Sequence, residues 1–171
     1  VHIRSFSKSH GPDLRLAAVG GAGDVITAAA NRRLLGPGWS SRILQAVLLA
    51  LLDDPSVSDR LALARAEYAR RRAAVTDVLS DRGVPFTGSD GINLWMEVAD
   101  ERSALITLAA RGIGAAPGEP FMVRDDTPHL RLTVGLLGDT GTPGSPSHDP
   151  VAVAEALADA AGFTPRRAGQ R

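Results

Sequence analysis

The sequence has no cysteine. That excludes a disulfide scaffold, a cysteine-ligated zinc site and thiol catalysis. It has no excess charge either, since 19 basic and 19 acidic residues cancel. A nucleic-acid or membrane-surface binder usually carries a basic excess, so neither partner is expected for this segment. The four histidines are scattered, so a histidine metal site would have to be assembled by the fold, and none is expected. No long hydrophobic run occurs. The most apolar stretch, residues 43–52, is too short to span a bilayer and contains Gln45. With no signal peptide visible either, the expected location is cytoplasmic.

The scarcest informative residue is lysine. Of 19 basic residues, Lys8 is the single lysine and the other 18 are arginine. Arginine serves wherever a positive charge suffices, but it cannot supply a neutral amine. Lys8 is therefore a candidate for nitrogen chemistry; the alternative is one surface lysine retained by chance.

What is present fits a soluble globular chain: 44% hydrophobic and 22% charged residues over 171 positions. That length corresponds to about one domain, able to bury roughly two thirds of its unfolded surface. The sequence opens at Val1 directly in strand-like residues, as expected of a stretch of a longer chain. Local patterns predict a strand over 1–6, a loop over 7–13 and a strand over 14–20. A helix capped by Asp24 should run to 35 and break at Gly36-Pro37-Gly38. An apolar helix is expected over 39–52, and a long helix from a Ser58 cap to 82. Shorter elements follow: strands at 84–86 and 92–98, and a helix over 101–111 ended by Gly112. Strands at 113–115, 121–123 and 129–134 come next. A Gly/Pro/Ser-rich linker over 138–150 precedes a helix over 150–161 capped by Asp149. The expected organisation is residues 1–55 as the end of a larger layer, 56–163 as a smaller α/β domain, and 164–171 as a tail.

The densest chemistry lies at the start, in Ser5-Phe6-Ser7-Lys8-Ser9-His10-Gly11-Pro12-Asp13-Leu14-Arg15-Leu16. Hydroxyls and a guanidinium fork suit a phosphate. An amine among them can attack a carbonyl, and the two together are what pyridoxal phosphate requires. The segment is not a Walker A loop, because no glycine precedes Lys8. The same residues would also make a hairpin with a polar loop, Lys8 solvated and Arg15 in a salt bridge.

Ser-x-Ser-Lys followed by Gly-Pro-x-Leu-Arg-Leu resembles the cofactor-lysine motif of fold type I pyridoxal-phosphate enzymes, the class I/II aminotransferases. It is similar above all to the aminotransferase-like domain of MocR/GntR-type regulators and their free-standing relatives. The resemblance covers residues 2–136. It includes Arg33-Leu34-Leu35-Gly36-Pro37-Gly38-Trp39-Ser40-Ser41, Tyr68-x-Arg70-Arg71-Arg72, Gly91-Ile92-Asn93-Leu94-Trp95, Ala116-Pro117-Gly118 and His129-Leu130-Arg131-Leu132-Thr133.

The resemblance implies an α/β fold: the end of a large cofactor domain plus the small C-terminal domain. It implies pyridoxal 5'-phosphate as cofactor, with Lys8 as the Schiff-base lysine and proton carrier. Ser5 and Arg15 would contact the cofactor phosphate, with Ser7 a further candidate. Ser40 and Ser41 would reach toward a partner subunit's phosphate in a homodimer, or else simply cap a helix. Arg131 would pair with the substrate carboxylate, and Asn93 would border the substrate cleft. Trp95 is expected in the core, and His10 and His129 in structural or solvated roles. The residues that hold the cofactor ring in this family are not found in the stretch. The implied activity is amino-group transfer between an amino acid and a 2-oxo acid. The alternatives are an effector-binding domain of a GntR/MocR-type regulator, or an inactive remnant.

Overall fold

Two separate apolar clusters organise the chain. A computed structural model describes residues 1–123, 127–138 and 149–162. The chain divides into two units, Val1–Ala64 and Arg65–Arg171. The expected linker over 138–150 and the tail lie mostly or wholly outside the described residues.

In the first unit, β1 (His2–Ser5) and β2 (Ala17–Gly20) form an antiparallel pair running from His2↔Gly20 to Ser5↔Ala17. α1 (Gly23–Leu34) and α2 (Arg42–Asp53) follow. The buried residues are Phe6, Leu14 and Leu48, with Leu16, Leu44 and Leu51 packed against them. α1 buries nothing. Asp24 is not its cap: the helix begins at Gly23 with Ala22 ahead of it, so Asp24 lies in the first turn. There its charge still complements the helix dipole. α2 starts later than expected. Ser41 is its cap, with Oγ accepting from Leu44 N–H at 3.3 Å.

α3 (Pro55–Asp81) runs across the unit boundary. Ser58 falls inside it. The start is set instead by Asp54, whose carboxylate accepts from Ser56 N–H at 2.8 Å, and by Pro55. Proline suits the first helical turn because its missing N–H has no intrahelical partner there.

The second unit is a four-stranded antiparallel sheet in the order β3-β4-β6-β5. These are Phe86–Thr87, Asn93–Glu97, His129–Thr133 and Ala116–Pro117. The central register pairs Asn93 with Thr133, Trp95 with Arg131 and Glu97 with His129. Strand alternation sends Leu94, Met96, Leu130 and Leu132 into the core. There they join Val75 and Leu79 of α3, Ala104 and Leu108 of α4 (Glu101–Ala110), and Val153, Ala154 and Leu157 of α5 (Pro150–Ala161). Trp95 is on the opposite side of β4 from the core residues and is only half-buried, a correction to its expected core position. Residues 121–123 form no strand. Glu119–Phe121 is instead a 3-10 turn with Pro120 in its first turn. Two caps were foreseen correctly. Asp149 accepts from Ala152 N–H at 3.1 Å, and Gly112 ends α4 with a positive φ of 73°.

The helices of this unit are tied by a charge cluster. Arg82 bonds Glu155 and Asp159 on α5, and Arg111 bonds Asp159 at 3.1 Å. Arg82, then Arg111, holds the Asp159 carboxyl below its ordinary value. On α3, Arg70 and Arg71 hold Glu67 down from 4.5 to about 2. Both carboxylates titrate lower when folded, so they stabilise at neutral pH and that contribution fades on acidification. For Glu67 the fade spans about 4.5 down to about 2. Glu67→Gln should therefore flatten the acid limb of stability in that window. The effect should be small, because these pairs are solvent-screened. Urea midpoints measured across that pH range test it.

Candidate functional site

The Lys8 loop is built on two buried anchors. Phe6, just after β1, and Leu14, at the end of a 3-10 turn (Pro12–Leu14), point into the first core. Between them the chain is closed by Phe6 N–H to Leu16 O at 3.0 Å and His10 N–H to Phe6 O at 2.8 Å. With both ends fixed, the polar residues between them face outward. Ser5, Lys8 and Arg15 are exposed and Ser7 is half-buried. Ser5 Oγ accepts from Ser7 N–H at 3.4 Å, and Ser9 Oγ lies 2.8 Å from His10 Nδ1. The His10 ring meets Phe6 edge-on at 5.6 Å, a structural role.

Arg15 has φ 49° and ψ 33°, and among the described residues it is the only non-glycine with a positive φ. A left-handed arginine costs local free energy, and such strain gathers where a side chain has to be aimed. Among the described residues neither Lys8 nor Arg15 has a salt-bridge partner. An unengaged amine, a hydroxyl and a guanidinium on one anchored loop fit an aldehyde that also carries a phosphate.

Ser40 and Ser41 are already engaged within their unit. Arg33 Nη2 donates to Ser40 Oγ at 2.6 Å and to Trp39 O at 3.1 Å. Ser41 caps α2.

In the second unit, β6 alternates as the sequence suggests. Leu130 and Leu132 are buried, while His129 and Arg131 face the other side of the sheet, half-buried. Arg131 lies on the wall of a cleft of about 310 Å³ between Ile113, Ala115, Ala116, Thr133 and Leu137. Its Nε is buried and has no hydrogen-bond partner among the described residues. Its guanidinium carbon sits 4.5 Å from the centre of the Phe121 ring. Phe121 meets Trp95 edge-on at 6.4 Å, and Trp95 stacks on His129 at 5.2 Å. Asn93 Oδ1 accepts from Thr133 Oγ1 at 2.9 Å.

Two residues of this surround, Phe121 and Glu101, were not foreseen, and Gly118 was expected only as part of the Ala116-Pro117-Gly118 segment. Glu101 Oε2 accepts from Gly118 N–H at 2.9 Å and from Glu119 N–H at 3.0 Å. A Cβ on Gly118 would lie 2.4 Å from His129 O, so only glycine fits. Pro117-Gly118 in the sequence was the available signal.

The fold is that of fold type I pyridoxal-phosphate aminotransferases. The aromatic aminotransferase of Pyrococcus horikoshii superposes with a TM-score of 0.70 at 16% identity, covering 92% of this chain and 41% of that one. Residues 1–140 match the family described as aminotransferase class I and II, and the chain belongs to that family. Among curated proteins it is 38% identical over 141 residues to the vitamin B6 salvage pathway transcriptional repressor PtsJ of Salmonella typhimurium, covering 81% of this chain and 32% of the repressor. It is 27% identical over 151 residues to the HTH-type transcriptional regulator TauR of Rhodobacter capsulatus, covering 84% and 31%. The chain spans about a third of the length of these curated relatives. No described helix is long and apolar enough to cross a membrane.

Proposed function

We propose that this chain carries the lysine and phosphate-binding part of a pyridoxal-phosphate site, together with an arginine that receives a carboxylate. The observation that carries the reading is the sole lysine, exposed and without a salt-bridge partner among the described residues, on an anchored loop that ends in a strained arginine. When bound, pyridoxal phosphate supplies an aldehyde for amines and an electron-accepting ring. Lys8 Nζ is the amine for that aldehyde. The same Nζ, as a free amine, would be the base that moves a proton at the substrate Cα. Ser5 Oγ and Arg15 hold the phosphate, and Ser7 borders it. Arg131 receives the carboxylate of an amino acid or 2-oxo acid, and Asn93, opposite Thr133 on β4, borders the cleft. Ser40 and Ser41 are proposed only as a capped helix start facing a second copy in the full-length homodimer.

Two outcomes of ligand binding are open to such a domain. Amino-group transfer from an amino acid to a 2-oxo acid is the activity of aminotransferases. Both curated relatives, however, carry the names of transcription regulators. That observation favours a second reading, in which the same site senses an effector without turnover. Repeated turnover by the full-length protein would select the catalytic reading; binding without turnover would select the regulatory one.

A visible-absorbance titration with pyridoxal phosphate tests the shared claim. Arg15→Ala should weaken binding about tenfold, the value of roughly one charge-assisted hydrogen bond. Unchanged affinity would remove Arg15 from the phosphate site.

A further inference from the structure

We infer that Phe121 is a positioning residue for Arg131, holding its guanidinium from one face so that its Nη groups stay available to a carboxylate. The inference rests on the carboxylate role proposed above for Arg131. An acidic side chain paired with Arg131 would occupy the same N–H groups that a ligand would need. Among the described residues, none pairs with Arg131. The 4.5 Å approach to the Phe121 ring attracts the cation through the ring face and takes up no hydrogen bond.

The ring itself is firmly delivered. Phe121 ends the 3-10 turn, with its N–H bonded to Gly118 O at 2.8 Å. Gly118 N–H is pinned to His129 O at 2.9 Å, two residues before Arg131 on β6, and to Glu101. Trp95, paired directly across from Arg131, meets the Phe121 ring edge-on, and His129 stacks on Trp95. The turn, the Trp95 ring and a histidine thus connect the strand that carries the guanidinium with the ring beneath it. Phe121 is half exposed, so its removal should leave the core intact.

The test uses the 171-residue chain labelled with 15N at arginine. The Arg131 Nε–H signal is identified by its loss in Arg131→Lys. In Phe121→Leu that signal should move downfield as the ring current disappears, and rotation about Cζ–Nε should quicken. Affinity for pyruvate, the simplest 2-oxo acid, should fall about three- to tenfold. Phe121→Tyr should restore the signal, the slow rotation and the affinity, and neither variant should shift the urea midpoint appreciably. An Arg131 signal and rotation unchanged in Phe121→Leu would overturn the inference. So would a loss of affinity that tyrosine fails to restore. If the signal responds to Phe121→Leu but not to pyruvate, the positioning role stands and the carboxylate assignment of Arg131 falls.

Discussion

Gly118→Ala is expected to cost the second unit about 3 kcal/mol, the upper end of overpacking into a tight site. The added Cβ would sit 2.4 Å from His129 O and 2.9 Å from its carbonyl carbon. Both are backbone atoms of a central strand, so neither can rotate away. Relief requires the turn to lift, which breaks Gly118 N–H to His129 O and strains the two bonds to Glu101. Each such bond contributes about 1 kcal/mol. Gly118 has φ −81° and ψ −34°, so the cost is steric and not conformational. Trp95 lies beside the turn, and Trp39 is the other tryptophan. Urea unfolding followed by fluorescence in a Trp39→Phe background therefore reports this region. An unchanged midpoint would show that the turn gives way without cost.

The second large effect is on ligand binding. Arg131→Ala removes a guanidinium whose Nε is buried without a partner among the described residues, from a residue that lines a cleft of about 310 Å³. A carboxylate held by a charged fork gains about 2 kcal/mol, so pyruvate affinity should fall some thirtyfold. Binding of pyridoxal phosphate should remain nearly unchanged, because its proposed contacts lie on the Lys8 loop. Isothermal titration of each ligand separates the two. Equal losses for both would contradict the division of roles between Lys8 and Arg131.

Much of this was legible in local sequence. The alternation in His129-Leu130-Arg131-Leu132 fixed which side Arg131 takes, because a strand buried on one face must send polar residues to the other. Asp149 before Pro150 was read correctly as a helix start. The same logic, applied to Asp54-Pro55, would have placed the start of α3 there instead of at Ser58. Trp95 was misplaced in the core; the alternation of Leu94 and Met96 around it carried the better signal. The residues that sequence reading missed act through space. Glu101 meets Gly118 across 17 positions, and Phe121 meets Arg131 across a turn and a strand. No local pattern announces a ring beneath a guanidinium, or a glycine required by a neighbouring carbonyl. The strain at Arg15 was equally silent, since no local pattern marks a left-handed arginine.

The central claim is that Lys8 is the amine for the cofactor aldehyde. The chain offers two primary amines, Lys8 and the Val1 terminus, so the most direct measurement is a chemical one. Pyridoxal phosphate is added, the mixture is reduced with borohydride, and the modified peptide is mapped by mass spectrometry. The account predicts a phosphopyridoxyl group on Lys8, absent from Lys8→Arg. A group found only on Val1, or equally on both amines, would contradict it.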